Sequence, residues 1–524
     1  MAFDLVIRNG TVLDGTSAPP VQADVAITNG RIVHIGPVEA KGVVELDATG
    51  LLVAPGFIDI HSHSDHTNLV DPRALSALHQ GVTLEVVGNC GHGCFPIRAP
   101  EPARSAIYGY NALQPLNWHN AADYFGRLEA ARPAVNMLSL VPNGQLRMAV
   151  LGMKARPAQP DELRAMTRLL EEGMEQGAWG YSTGLEYAWE EGAPEEELTA
   201  LSKTLTRTGG LYATHTRLRD EGSVEAVGEA IRTADRAGVP LQISHLIPRN
   251  GLEAGRQCIE LVNEARSRGQ DVAFDMHTRV YGTNYLHNAL PPDALAGGLE
   301  RLKTLLADSS ARAAMKGHRS ILSAGGDWDR IVLLDNPYWP QYARRSVGDV
   351  AAERGQDAFD TIFDLMLGAL EDTSRMMMII INCHTADQLH ETFMHDACVP
   401  GSDATTIAPD GPHADKTFHG AYTWAAWFYR FMVRERKSLS PAEAVHKLSG
   451  QPAERMGLKD RGTLREGAWA DLAIFDHERF GEKGTTYMPN VLADGMVHVV
   501  VNGVISLRDG VPTGDRAGAV LRRN

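Results

Sequence analysis

Between Phe57 and Asp403, short apolar runs alternate with amphipathic stretches of helical period, and five of the runs lead into His61, Cys90, His215, His245 and Asp403. Continuous apolar strands separated by helices are the pattern of parallel βα units, because each strand must be buried on both faces. The runs are GFIDI, TLEVVGNC, VNMLSLV, WGYSTGL, LYATHTR, PLQISHL, DVAFDMH and ACVPG, the last just before Asp403. DELRAMTRLLEEGMEQG, VEAVGEAIRTADRAG and GRQCIELVNEARSRG are among the intervening helices. About eight parallel strands close a barrel. The expected fold class is therefore α/β, a (β/α)8 TIM-like barrel.

Such a barrel does not use up 524 residues. From Phe3 to Val53 the chain alternates as antiparallel strands punctuated by Asn-Gly turns, and GTLREGAWADLAIFD and MVHVVVNGVISLRDG repeat that pattern near the other end. The expected organisation is a small β-sandwich domain built from residues 1–55 and 459–524, with the barrel at 56–458. Residues 288–398, too long for one βα unit, are expected to form an inserted lid or substrate wall.

Composition narrows the function. No stretch approaches the roughly 18 uninterrupted apolar residues of a membrane span, and MAFDLVIRNGTVLDG reads as a strand rather than a secretory leader. A cytoplasmic protein with no membrane partner is expected. The net charge of −15 argues against a phosphate-backbone footprint, so nucleic acid is not an expected partner, whereas self-association into a homo-oligomer stays open. Five cysteines, only Cys90 and Cys94 close together, make no disulfide framework and keep Cys90 available as a thiolate.

His61 and His63, two apart on one strand, point to the same face and can approach one ion. Alone, a His-x-His pair on a strand is more often structural. Cys90, His215 and His245 also stand at strand ends, and soft and borderline ligands gathered there suit one metal site at the mouth of a barrel. Asp403, after the last run, is the candidate base, since hydrolysis of an amide needs a group that takes a proton from water and returns it to the leaving nitrogen. Ser402-Asp403 also fits a helix N-cap. Two competing patterns are weaker. His92 and Cys94 could form a local zinc knuckle with Cys90, but no second Cys/His pair lies near enough to complete it. Gly180-Tyr181-Ser182-Thr183-Gly184 fits the nucleophile elbow of serine hydrolases, yet LEYAWEEGAP continues as loop where that motif needs a helix.

The motifs PGFIDIHSH, VVGNCG, GYSTGLEY, THTR, ISHL and GSD, with the tail LSPAEAVHKLSGQPAERMGLKDRGTLREGAWADLAIFD, resemble the amidohydrolase superfamily, most closely its N-acyl-D-amino-acid deacylase branch. The resemblance runs nearly end to end. It implies zinc held tightly by Cys90, His215 and His245, a second and weaker metal position facing His61 and His63, and Asp403 as catalytic base. It also implies a small amide as substrate: an N-acyl amino acid, or a related bulky or aromatic amide. Family members carry basic groups for the substrate carboxylate where this chain has Ile247 and Ala414. Arg279 and Lys416 are the candidates to replace them, and Tyr187 in GYSTGLEY is a further substrate contact. A cyclic amide hydrolase or heterocycle deaminase would use the same metal face, and a silent paralogue would keep the barrel as a scaffold.

Overall fold

The computed structural model describes residues 2–295, 298–318, 320, 322, 323, 326–369 and 377–523. Parts of three runs read in the inserted segment, at 297, 370–372 and 375–376, lie outside the described residues.

Eight parallel strands carry the centre of the molecule. They are β1 (Phe57–Asp59), β2 (Val82–Val87), β3 (Asn136–Ser139, continued as Val141–Pro142), β4 (Gly180–Gly184), β5 (Leu211–His215), β6 (Leu241–Ile243), β7 (Val272–His277) and β8 (Cys398–Gly401). Pairing is parallel from β1 through β2 to β3, and from the continuation of β3 through β4, β5, β6 and β7 to β8. Beyond β8 the backbone returns to the segment after β1: Asp403 N donates to His61 O at 2.9 Å and His63 N to Ala404 O at 2.8 Å. Every residue of β2 and β7 is buried, as strands covered on both faces must be.

The covering helices follow from local sequence. Pro160–Glu175 starts with a Gln159/Glu162 capping box and proline in its first turn, and buries Met166, Leu170, Gly173 and Met174 on one face. Ser223–Ala237 buries Ala226, Val227, Ala230, Ile231 and Ala234 and stops where Gly238 turns left-handed. Buried Leu, Ile and Met side chains at such positions contribute about 1.5–3 kcal/mol each.

Both chain ends join one nine-stranded sheet, in which Leu52–Pro55 pairs antiparallel with Leu472–Phe475. Alternation sorts its side chains. Leu472, Ile474 and Val500 pack with Leu5, Ile7 and Val25 in the sheet's own core, while Ala473, Phe475, Val499 and Val501 pack in the large cluster with Phe57 of β1. The inserted segment, joined by the strand Tyr281–Tyr285 just before its expected start, has a separate core, built around that strand and its antiparallel partners Ile331–Leu333 and Met378–Asn382 and around helices that bring in Leu302, Leu306, Val347, Ile362 and Phe363. None of the helices among the described residues is long and apolar enough to cross a membrane.

Candidate metal centre

Each residue expected to bind metal, and the candidate base Asp403, stands at or just past the C-terminal end of a parallel strand. His61 and His63 follow β1, Cys90 follows β2, His215 ends β5, His245 follows β6 and Asp403 follows β8. The four histidines and Cys90 are at most 3% exposed.

Three of these positions have a left-handed backbone: φ is 53° at Cys90, 34° at His245 and 45° at Asp403. For residues other than glycine this costs on the order of 1–3 kcal/mol each and persists only where the surroundings enforce it. The enforcement is visible. Gly91 N donates to Ser182 Oγ at 3.1 Å, and Ser182 Oγ donates to Gly88 O, so β4 pins the loop on both sides of Cys90. A Cβ on Gly91 would stand 1.8 Å from Glu190 Oε1, which leaves glycine as the residue that fits. His245 N donates to Asp275 Oδ1 at 2.8 Å, and Arg279 donates to the carbonyls of Ser402 and, at 3.2 Å, Asp403. Ser182 is thus a structural peg, and no helix begins after it until Glu195.

The strand ends bring the ligand atoms into two groups. One atom each from His61, Cys90 and His245 lie within 4.8 Å of one another, as do those of His61, His63 and Asp403. Cys90 Sγ is 3.2 Å from His61 Nε2 and 3.6 Å from His245 Nε2. Asp403 Oδ1 is 3.6 Å from His61 Nε2 and 3.4 Å from His63 Nε2. His61 therefore stands between the thiol and the carboxylate. His215 belongs to neither compact group: its Nε2 pairs with Glu186 Oε2 at 2.9 Å, while its ring meets that of His245 edge-on at 4.6 Å. Its Nδ1, like those of His63 and His245, is buried with no protein partner among the described residues.

Burial raises the Cys90 thiol, but charge on His61 and the imidazoles of His215, His245 and His61 around it outweigh that and hold the group well below the ordinary thiol range. Burial likewise opposes ionisation of Asp403, and the hydrogen bond from His63 with the charges of His245, His61 and Arg279 more than reverses that. A thiolate, a carboxylate and buried imidazoles with open nitrogens form a donor set that fits zinc better than a hard cation.

The most informative residue that sequence reasoning missed is Asp275. Its Oδ1 accepts from His61 Nδ1 and His245 N, both at 2.8 Å, and its Oδ2 accepts from Gln242 Nε2 at 3.1 Å. Occupying Nδ1 turns Nε2 of His61 toward the site, the usual way a carboxylate orients a ligand imidazole. A signal existed, since a carboxylate inside the apolar run DVAFDMH needs a buried partner. Asp59 is another: its Oδ1 accepts from His61 N at 3.2 Å and Ser402 N at 3.0 Å, and burial together with Glu85 pushes it up to about 7.

Aromatic rings line one side. Tyr108 stacks on His63 with centroids 4.4 Å apart, and Tyr187 lies 5.0 Å from His215 and meets His92 edge-on at 4.4 Å. His92 and Cys94 enter neither donor group. Of the other expected substrate contacts, Arg279 is committed to the Asp403 loop, with Nη2 also 3.4 Å from Asp403 Oδ2. Lys416 is half-exposed, with Nζ 3.3 Å from Asp415. Ile247 is in the main apolar core and Ala414 is exposed.

An amidohydrolase family model matches residues 44–281 and 401–506. An N-acyl-D-glutamate deacylase of Alcaligenes xylosoxydans xylosoxydans is 32% identical, covering 100% of this chain and 97% of its own. A crystal structure of D-aminoacylase superposes with a TM-score of 0.82 at 29% identity, over 99% of this chain and 100% of the other. The N-acyl-D-glutamate deacylase of Bordetella bronchiseptica, complexed with zinc and a phosphonate that mimics the tetrahedral intermediate, gives 0.81 at 27% identity over the whole of both chains. With histidine, cysteine and carboxylate donors gathered at strand ends of a mixed α/β fold and full-length similarity of this kind, the chain belongs to the amidohydrolase family, in its D-aminoacylase branch, and is a metal-dependent hydrolase of C–N bonds.

Proposed function

We propose that the protein deacylates N-acyl amino acids, with D-configured ones the first class to test, at a zinc site on the strand ends. The observation that carries this reading is His61 standing between the Cys90 thiol and the Asp403 carboxylate, 3.2 and 3.6 Å from them. Cys90, His215 and His245 are assigned the tight position, and His61 and His63 the second. Zinc held there would supply a Lewis acid that polarises the amide carbonyl and lowers the pKa of water.

The remaining work falls to side chains. Asp403, kept ionised by His63 and the cations around it, accepts a proton from the attacking water and returns it to the departing amine nitrogen. Asp275 holds His61 in the useful tautomer. Arg279 keeps the Asp403 loop in place and is a substrate neighbour with Tyr187, while Lys416, on the segment after Asp403, is an outer one.

The architecture assigned to this activity is a (β/α)8 barrel, supported by the pairing from β1 to β8 and the return of the chain from Asp403 and Ala404 to His61 and His63. Residues 1–55 and 459–524 are assigned to the companion domain, and 288–398 to a lid or substrate wall.

The test is a screen of N-acyl D- and L-amino acids beside neutral amides, with zinc measured on the same preparation. Zinc at one or more per chain and turnover of an N-acyl amino acid are expected, and Asp403→Asn should keep the metal while losing about 10²-fold or more in kcat. Absence of turnover from the zinc-loaded chain on all N-acyl amino acids would refute the reading.

A further inference from the structure

Beside the metal-facing residues, the loops after β5 and β6 and the inserted segment bring cations together. Arg249 bonds Glu186 and lies 2.9 Å from Asp220 Oδ2, while Arg330 Nη1 donates to Arg249 O at 3.0 Å with its Nη2 3.6 Å from Asp220 Oδ1. Arg219 adds a third guanidinium but no third carboxylate. It is 8% exposed and, among the described residues, has no carboxylate within 4 Å; its Nη2 donates only to the carbonyls of His245, at 2.8 Å, and Ile247, at 3.2 Å. Three guanidinium groups thus face two carboxylates, one of which also takes His215.

His384 reaches the same place from the inserted segment. Both of its ring nitrogens are buried without a hydrogen-bond partner among the described residues, and its ring lies 5.6 Å from that of His277, the last residue of β7. Burial, then the charges of Arg219 and Arg249, hold it well below the ordinary imidazole range, so it is neutral and carries one N–H to donate. Arg330 Nε also lacks a partner among the described residues. A buried guanidinium without a counter-charge and a buried imidazole without a partner are both costly, and an arriving anion removes both costs.

We infer that Arg219, with His384 and Arg330, forms the subsite for the free carboxylate of the substrate, on residues other than Ile247 and Ala414 at the family's basic positions. The inference rests on the proposed amide hydrolysis and specifies the charge its substrate must carry. Because Arg219 also holds the carbonyl of His245, the anion would be bound directly beside that proposed zinc ligand.

The deciding experiment compares kcat and KM for a matched pair, an N-acyl-D-amino acid and its carboxamide, in wild type, Arg219→Met, Arg219→Lys and His384→Leu, with zinc measured in each. Wild type should prefer the acid by about 10-fold or more. Arg219→Met should erase the preference through KM, Arg219→Lys should restore part of it, and His384→Leu, which breaks no hydrogen bond among the described residues, should reduce it. If Arg219→Met proves unstable or loses zinc, His384→Leu decides alone. An acid-to-carboxamide ratio unchanged in zinc-loaded His384→Leu and Arg219→Met, or no acid preference in wild type, overturns the subsite while leaving amide hydrolysis standing. Failure of wild type on both compounds overturns both.

Discussion

Asn29 and Cys90 share a backbone conformation, φ 51° and 53°, for opposite reasons. Asn29 is exposed and opens an Asn-Gly hairpin in the terminal sheet, where Gly30 continues at φ 75° and the strands Val21–Thr28 and Arg31–Gly36 pair on either side. Asparagine tolerates that conformation, and the right-handed twist of the strands asks for it, so two adjacent residues account for the turn. Cys90 has no such local reason. Its conformation is imposed by Ser182 of β4 and Glu190 of the loop after it, about a hundred residues further along the chain. The same holds at His245 and Asp403, each held by hydrogen bonds from distant elements. A left-handed residue that its neighbours in sequence explain is a turn, whereas one that only the tertiary structure explains is a candidate for function.

Substitutions can separate the two cases. The largest effect belongs to Cys90. Cys90→Ala and Cys90→Gly should both lose the tight metal and turnover, by more than the roughly 10–100-fold that loss of an outer partner costs. If the backbone there is strained, metal-free Cys90→Gly should also unfold about 1 kcal/mol harder than metal-free Cys90→Ala. Equal stability of the two in denaturant titrations would mean the site stores no strain, and full zinc in either variant would remove Cys90 from the ligand set.

An intermediate effect is expected at Asp275, which acts through His61 and His245. Asp275→Asn should weaken zinc binding about 10–100-fold, measured by competition with a chelator, because the amide no longer enforces the His61 tautomer. Unchanged zinc affinity would reduce Asp275 to a packing role.

The smallest effect lies in the hairpin. Asn29→Ala should cost about 1 kcal/mol of stability, and Asn29→Gly almost nothing, with kcat/KM the same in both. A change in turnover on altering Asn29 would break the comparison, since it would tie a turn of the terminal sheet to the site.

The eight strands, their helices and the antiparallel ends were legible because each depends on interactions within a few residues: period-2 and period-3.6 burial, capping boxes and Asn-Gly turns. His61, His63, Cys90, His215, His245 and Asp403 could be singled out for a related reason. Their chemistry is unusual at the ends of apolar strands, and the strand order carries them to one place. What the tertiary structure alone decided is how those residues are held and what else joins them. Asp275 meets His61 across 214 positions of sequence. Glu186 takes Nε2 of His215 and leaves its Nδ1 open, while Cys90, His61 and His245 form one of the two compact groups. Arg279, readable as a spare cation, is taken by the loop of Asp403, while among the described residues Arg219, which no motif marks, is left buried without a counter-charge and the ring of His384 without a hydrogen-bond partner. Hydrogen bonds and charge balance depend on distance in space, and no local pattern in the chain records which polar groups folding will bring within 3 Å of one another or leave unpaired.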